Sequence, residues 1–133
     1  MAYKIAVLVG SLREASINRK IAKAICALTG DGLDCRMVEI GDLPLYNQEH
    51  EDDPPAEYRR FREEVGQADG VLFVSPEYNR GVTGAMKNAI DVGSRPSGKS
   101  VWNGKPAAIV TASPGAIGGF GASQQIRQSA ATL

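Results

Sequence analysis

Short unbroken apolar runs alternate along this chain with longer stretches in which apolar residues recur every three or four positions, the pattern of buried strands separated by amphipathic helices. Lys4 to Val9 is an apolar, β-branched run closed by Gly10 and reads as a buried strand. Ser16 or Asn18 suits the cap of a following helix, with Ile17, Ile21, Ala24, Ile25 and Leu28 on its inward face until Gly30 and Gly32 end it. Cys35 to Ile40 reads as a second strand. Leu43 to Pro55, rich in Pro, Asp, Glu and Asn, reads as a surface loop, and the Pro54-Pro55 pair suits the first turn of a helix running to about Ala68. Gly70 to Ser75 repeats the first strand's pattern, and Val82 to Val92 repeats the helix, with Met86, Ala89, Ile90 and Gly93 inward. Ser94 to Lys105 is a connection whose Trp102 reads as a packing anchor. Ala107 to Ala112 is the fourth strand, and a last helix begins near Gly119 or Phe120 and is expected still to run at Leu133.

Strands that alternate with helices form right-handed βαβ units, so the expected class is α/β with a doubly wound parallel sheet. A first strand that crosses over to its neighbour suits the flavodoxin-like order 2-1-3-4-5, in which ligands bind at the carboxyl ends between strands one and three. At 133 residues and 43% hydrophobic content the chain fits one domain with a core of its own. Fifteen basic residues balance fifteen acidic ones, which leaves no field to gather nucleic acid or an anionic membrane. Cys26, Cys35 and the single His50 make neither a CxxC pair nor a zinc ligand set, so no metal is expected, and both thiols read as core or surface groups in a reducing compartment. No run reaches spanning length or forms a signal segment, and a cytoplasmic location is the default expectation.

Three loops carry the unusual polar residues, and all follow strands that this topology sets side by side. Gly10 to Asn18 offers Ser11, Arg13, Ser16, Asn18 and the free amides of a helix N-terminus, a donor set for a phosphate; without a Gly-Lys-Ser/Thr ending, a monophosphate fits better than a triphosphate. The alternative is that Ser16 and Asn18 only cap the helix while Arg13 is solvated. Ser75 to Arg80 sets Tyr78 behind Pro76, where its ring can face a flat heterocycle and Asn79 can bond that heterocycle's edge, or the segment is an ordinary proline turn. Thr111 to Gly121 is built of small residues that let a planar ligand approach backbone N–H groups, which favour the negative charge a reduced flavin gains.

With these residues in place, the chain resembles the NADPH-dependent FMN reductase family, in the branch with quinone and chromate reductases. The resemblance rests on Gly10 to Asn18, Pro76 to Asn79, Lys87 to Asp91 and Ser113 to Gly119, in order along the whole chain. It implies FMN with its phosphate on Ser11, Arg13, Ser16 and Asn18, its ring against Pro76 to Asn79 and its pyrimidine edge near Ser113 and Gly115. The expected cofactor-binding set is thus Ser11, Leu12, Arg13, Ser16, Ile17, Asn18, Pro76, Glu77, Tyr78, Asn79, Ser113 and Gly115. The resemblance also implies a homodimer or homotetramer with the flavin near the subunit interface. Val92 stands where the family usually has tryptophan, and Arg80 where it often has an aromatic residue. Family members continue through a further βα unit, so the fifth unit of the 2-1-3-4-5 order is expected to be missing from this chain.

The expected activity is a ping-pong transfer of electrons from NADPH or NADH through FMN to a small acceptor such as a quinone, free flavin, azo compound or chromate. The cofactor carries the chemistry, so no side chain is assigned as catalytic. Arg80, the one cation of its loop, is the candidate contact for the extra phosphate of NADPH. A flavodoxin-type carrier without nicotinamide turnover is the alternative, and a zero formal charge is unlike the acidic surface by which such carriers dock. A receiver module on the same topology needs acidic residues at the end of its first strand, where this chain has Val9, Gly10 and Ser11.

Overall fold

Gly70–Ser75 is buried at every position, so this strand must lie inside the sheet with both faces covered. The computed structural model describes residues 1–133 and sets this strand between two others. Strands β1 (Tyr3–Val9), β2 (Leu33–Met37), β3 (Gly70–Ser75) and β4 (Ala107–Thr111) alternate with helices α1 (Ile17–Leu28), α2 (Ala56–Gly66), α3 (Gly84–Gly93) and α4 (Phe120–Ala130). The sheet order is β2-β1-β3-β4 and every pairing is parallel, the flavodoxin-like arrangement without a fifth strand. Register sets Ile5 opposite both Cys35 and Gly70, and Val71 opposite Ala107.

Alternation along the strands divides the core in two. Ala6, Leu8, Val71 and Phe73 point to one face, where Tyr58 and Phe61 of α2, Met86 and Ile90 of α3 and Ile126 of α4 cover them. Val7, Val9, Leu72 and Val74 point to the other, where α1 packs through Ala22. Trp102 is the anchor its setting suggests: 8% exposed, it packs between Phe61 and Phe73 and donates from Nε1 to the Ile90 carbonyl at 3.0 Å. His50 sits half-buried, edge-on to Tyr58.

Several expectations shift by a turn or less, each for a local reason. β2 covers Leu33–Met37 rather than Cys35 to Ile40, because the Glu39 carboxylate accepts from the Ile40 and Gly41 amides and turns the chain out of the ladder. Val38 and Ile40 remain buried as they leave. α2 starts after the two prolines, not within them: Pro54 precedes a proline and is disfavoured in the helical region, and Pro55 is extended at the cap (ψ 152°). The helix ends at Gly66, short of Ala68. α3 begins at Gly84 rather than Val82, because Thr83 takes the cap position and its hydroxyl oxygen accepts from the Met86 amide. β4 stops at Thr111, one residue before Ala112. α4 ends at Ala130, and the amides of Ala131 and Thr132 close its last turn instead of carrying it to Leu133.

The face of α1 also differs from its apolar spacing. Ile17 is 48% and Leu28 86% exposed, and Ala24 is exposed too. The inward stripe is Asn18 and Ala22, with Ile21, Ile25 and Cys26 beside it. A polar residue heads this stripe because Asn18 has a partner across the sheet edge, described below.

Gly93 generates a test of the packing. A Cβ there would lie 2.5 Å from Cζ2 of Trp102, whose ring is fixed by its bond to Ile90 and by the Val101 amide donating to the Gly93 carbonyl. Gly93→Ala is expected to cost about 1–3 kcal/mol by overpacking and to red-shift tryptophan emission; an unchanged urea midpoint would contradict this packing.

Candidate functional site

At the carboxyl edge of the sheet the ends of β1, β3 and β4 are tied to one another. The Gly10 amide donates to the Val74 carbonyl at 2.8 Å, and the Ala112 amide donates to the Ser75 carbonyl at 3.3 Å. Thr83, 1% exposed, donates from its hydroxyl to the Gly10 carbonyl at 2.7 Å and so joins the start of α3 to the end of β1. Gly10 has no alternative residue here, since a Cβ would overlap the Ser75 side chain and press on Thr83 Oγ1.

Asn18 completes the clasp. Its side-chain nitrogen donates to the Ala112 carbonyl at 3.2 Å, which links loop one to loop three, and leaves Oδ1 buried without a partner. The sequence suggested a phosphate donor or a helix cap for Asn18; the structure adds a tie between two loops 94 residues apart. The cap itself is Ser16, whose Oγ accepts from the Arg19 amide at 3.1 Å. That bond uses a lone pair and leaves the Ser16 hydroxyl proton free to donate. The first turn of α1 holds no acidic residue, so its amides and the positive end of its dipole face the loop uncompensated.

These loops enclose a cleft of about 550 Å³, its open mouth included. Loop one contributes Ser11, Arg13, Ser16, Ile17 and Asn18, loop two Pro76, Glu77 and Tyr78, and loop three Ala112, Ser113 and Pro114. Nine of the twelve residues expected from the sequence therefore line one cavity. The other three stand apart from it. Leu12 packs against Gly41 on the β2 side, and Asn79 sits in an exposed turn. Gly115 is exposed at the rim, where its carbonyl accepts from the Ser113 hydroxyl. Ala112 and Pro114 were missed: neither side chain carries polar chemistry, and Ala112 matters through its backbone alone.

Loop two is held in an uncommon conformation. Tyr78 and Gly81 exchange two backbone hydrogen bonds of 3.0 Å around Asn79 and Arg80, which both have positive φ (51° and 64°). This is the geometry of a type I′ turn; Asn tolerates it, whereas a residue such as Arg in this region costs on the order of 1–2 kcal/mol. α4 supports the turn from below. Gln125 Oε1 accepts from the Val82 amide at 2.7 Å, and Gly121 brings the start of α4 against the Arg80 carbonyl and Glu77. Glu77 Oε1 is buried there without a hydrogen-bond partner. Arg80 is exposed outside the cleft lining, and Tyr78, 52% exposed, forms part of its wall.

A second polar cluster props the neighbouring loop after β2 and explains the Lys87 to Asp91 motif. Asn88 donates to the Leu43 and Pro44 carbonyls and accepts from the Tyr46 amide. Tyr46 in turn donates its hydroxyl to Glu51 at 2.5 Å, and Arg95 pairs with Glu51 at 3.4 Å. The bond to Glu51 raises the Tyr46 pKa above the ordinary phenol value, and burial raises that of Tyr58, whose hydroxyl donates to the Leu45 carbonyl. Burial lowers the Arg62 pKa; its guanidinium lies over the Tyr58 ring and donates to the Val92 carbonyl. Ala89 and Ile90 of the motif are core, while Lys87 and Asp91 form a surface pair one helical turn apart.

Known proteins place this geometry in context. The family described as NADPH-dependent FMN reductase matches residues 3–133. A quinone reductase of Pseudomonas putida is 59% identical over 128 residues, 96% of this chain and 69% of that protein. A 2-hydroxy-1,4-benzoquinone reductase of Burkholderia sp is 48% identical over 133 residues, all of this chain and 73% of that protein. Among solved structures, the flavoenzyme NAD(P)H:(acceptor) oxidoreductase FerB of Paracoccus denitrificans superposes with a TM-score of 0.94 at 40% identity, covering 98% of this chain and 72% of that one. With hydroxyl and amide donors, an aromatic wall and a small-residue loop around one cleft of a doubly wound sheet, and with this match along its length, the chain belongs to the NADPH-dependent FMN reductase family of oxidoreductases.

Proposed function

We propose that the cleft holds FMN and that the protein uses NAD(P)H to reduce quinone-type acceptors. The observation that carries this reading is the convergence of three loops, each with a different chemistry, on one open cavity. FMN fits the residues present. Ser11, Arg13, the Ser16 hydroxyl and the first amides of α1 are donors for its phosphate. Buried Asn18 Oδ1 is an acceptor without a partner, and the ribityl hydroxyls and ring N–H of FMN are donors. Tyr78 and Pro76 give the ring a flat wall, and Ala112 and Ser113 stand where loop three would meet its polar edge.

Bound FMN supplies two-electron chemistry, accepting hydride from a nicotinamide and passing the electrons to an acceptor. The protein's part is to hold and orient. The clasp through Gly10, Asn18 and Ala112 fixes the distance between phosphate cup and ring pocket. One open side of the cleft admits donor and acceptor in turn, which gives parallel lines in double-reciprocal plots. The names of the relatives point to quinones, and azo compounds, free flavin and chromate are further candidates for the same opening. Steady-state NADPH oxidation with a soluble benzoquinone is expected to give this ping-pong pattern without a partner protein; turnover that requires an added redox protein would instead assign an electron carrier.

Arg80 is the proposed contact for the 2′-phosphate of NADPH. Arg80 is exposed two residues after Tyr78 of the cleft wall, and its left-handed backbone is a cost that a contact of this kind would offset. Arg80→Ala is expected to lower the NADPH/NADH ratio of kcat/KM by about tenfold, the size of one charge-assisted hydrogen bond; an unchanged ratio removes Arg80 from this role.

Leu12, Leu45, Tyr78, Ile117 and Phe120 are all more than half exposed, and all lie on loops at the carboxyl edge around the cleft or at the start of α4. That apolar rim supports association of two or four copies through the flavin edge. Sedimentation velocity at micromolar concentration is expected to show an oligomer, and a strictly monomeric holoprotein would refute it. No helix is long and apolar enough to cross a membrane, and two free thiols suit a cytoplasmic setting.

A further inference from the structure

Cys26 and Cys35 take no part in the cleft, yet the fold brings them together. β1 pairs with β2 so that Cys35 stands opposite Ile5, on the face that Val7 and Val9 present to α1. Cys26 lies one helical turn beyond Ala22, the residue through which α1 sits on that face. Between them the chain reverses in the tight turn Gly30–Gly32, after Thr29 has capped α1 by donating its hydroxyl to the Cys26 carbonyl at 2.8 Å. The last turn of α1 therefore returns directly onto β2. Both thiols pack at the border of one apolar cluster, both are free and both are only half-buried, so a small oxidant reaches them.

We propose that Cys26 and Cys35 are an oxidation site at which hydrogen peroxide converts the two thiols into an intramolecular disulfide. In the first step the Cys35 sulfur attacks one peroxide oxygen, the O–O bond breaks, and a sulfenic acid and a water form. In the second the Cys26 sulfur attacks the Cys35 sulfur, the S–O bond breaks, and the hydroxyl leaves as a second water with the Cys26 proton. Two thiols are oxidised and one peroxide is reduced, and no further reactant is needed. Cys35 reacts first because it lies on β2, the outer strand of the sheet, beside exposed Arg36 and Met37. Cys26 is the resolving partner: burial and the adjacent Cys35 thiol push its pKa up to about 11, which disfavours its own attack on peroxide. The bridge anchors the C-terminal end of α1 to the sheet edge, while the other end of the same helix forms the phosphate cup.

The test treats the purified full chain with excess hydrogen peroxide, quenches with catalase and counts thiols in denaturant. Both of the two thiols are expected to disappear together, with a mass two hydrogens lighter, no covalent dimer, a Tm several degrees higher and full reversal by dithiothreitol. In Cys26→Ser the mass loss is expected to vanish and a dimedone-reactive sulfenic acid to persist at Cys35. Two thiols that survive the treatment, or products that gain oxygen or cross-link between chains instead, overturn the proposal. Dimedone labelling of Cys35 no greater in Cys26→Ser than in the wild type removes Cys26 as the resolving group.

Discussion

The organisation of the site depends on how closely the ends of β1 and β3 approach at Gly10. The glycine amide reaches the Val74 carbonyl, its own carbonyl receives the Thr83 hydroxyl, and Ser75 occupies the space a side chain would take. A larger residue would separate the strands where their loops must diverge around a ligand. From this point the constraint spreads. Thr83 starts α3, Ser75 receives the amide of Ala112, and the Ala112 carbonyl receives Asn18 from the first turn of α1. Four elements and three loops are thereby tied together by backbone groups and by the side chains of Thr83 and Asn18, and the side chains of the cleft are carried on that frame.

How far the sequence reveals this varies with the range of the interaction. β3 is legible because burial on both faces makes all six of its residues small or apolar, and the inward face of α3 is legible because Met86, Ala89, Ile90 and Gly93 keep helical spacing. The position of β2 is not, since the Glu39 carboxylate, a local competitor for two amides, ends the ladder inside an apolar run. The face of α1 is misread because a polar residue leads it; what makes Asn18 an inward residue is a carbonyl 94 positions away. The cleft follows the same rule. Loop polarity and sheet order identify nine of its expected residues, whereas Ala112 contributes a backbone group that no residue type signals, and Leu12 turns away to fill the space beside Gly41.

Conserving the frame also explains residues that the chemistry does not need. Asn88 holds three backbone groups of the loop after β2, and Tyr46, Glu51 and Arg95 extend that brace to the end of α3. Val92, in the position where family members usually have tryptophan, is fully buried and offers its carbonyl to Arg62. Loop two follows a different economy: Asn79 and Arg80 hold a turn that glycine would adopt more readily, and α4 supports it through Gln125.

The account stands on the claim that the three loops form one FMN site. The most direct measurement adds FMN to the purified chain, removes the excess by gel filtration and follows flavin absorbance on anaerobic addition of NADPH. Retention of one FMN per chain that bleaches with one equivalent of NADPH is the predicted result. A folded protein that elutes colourless, or one whose bound flavin stays yellow in excess NADPH, would contradict it.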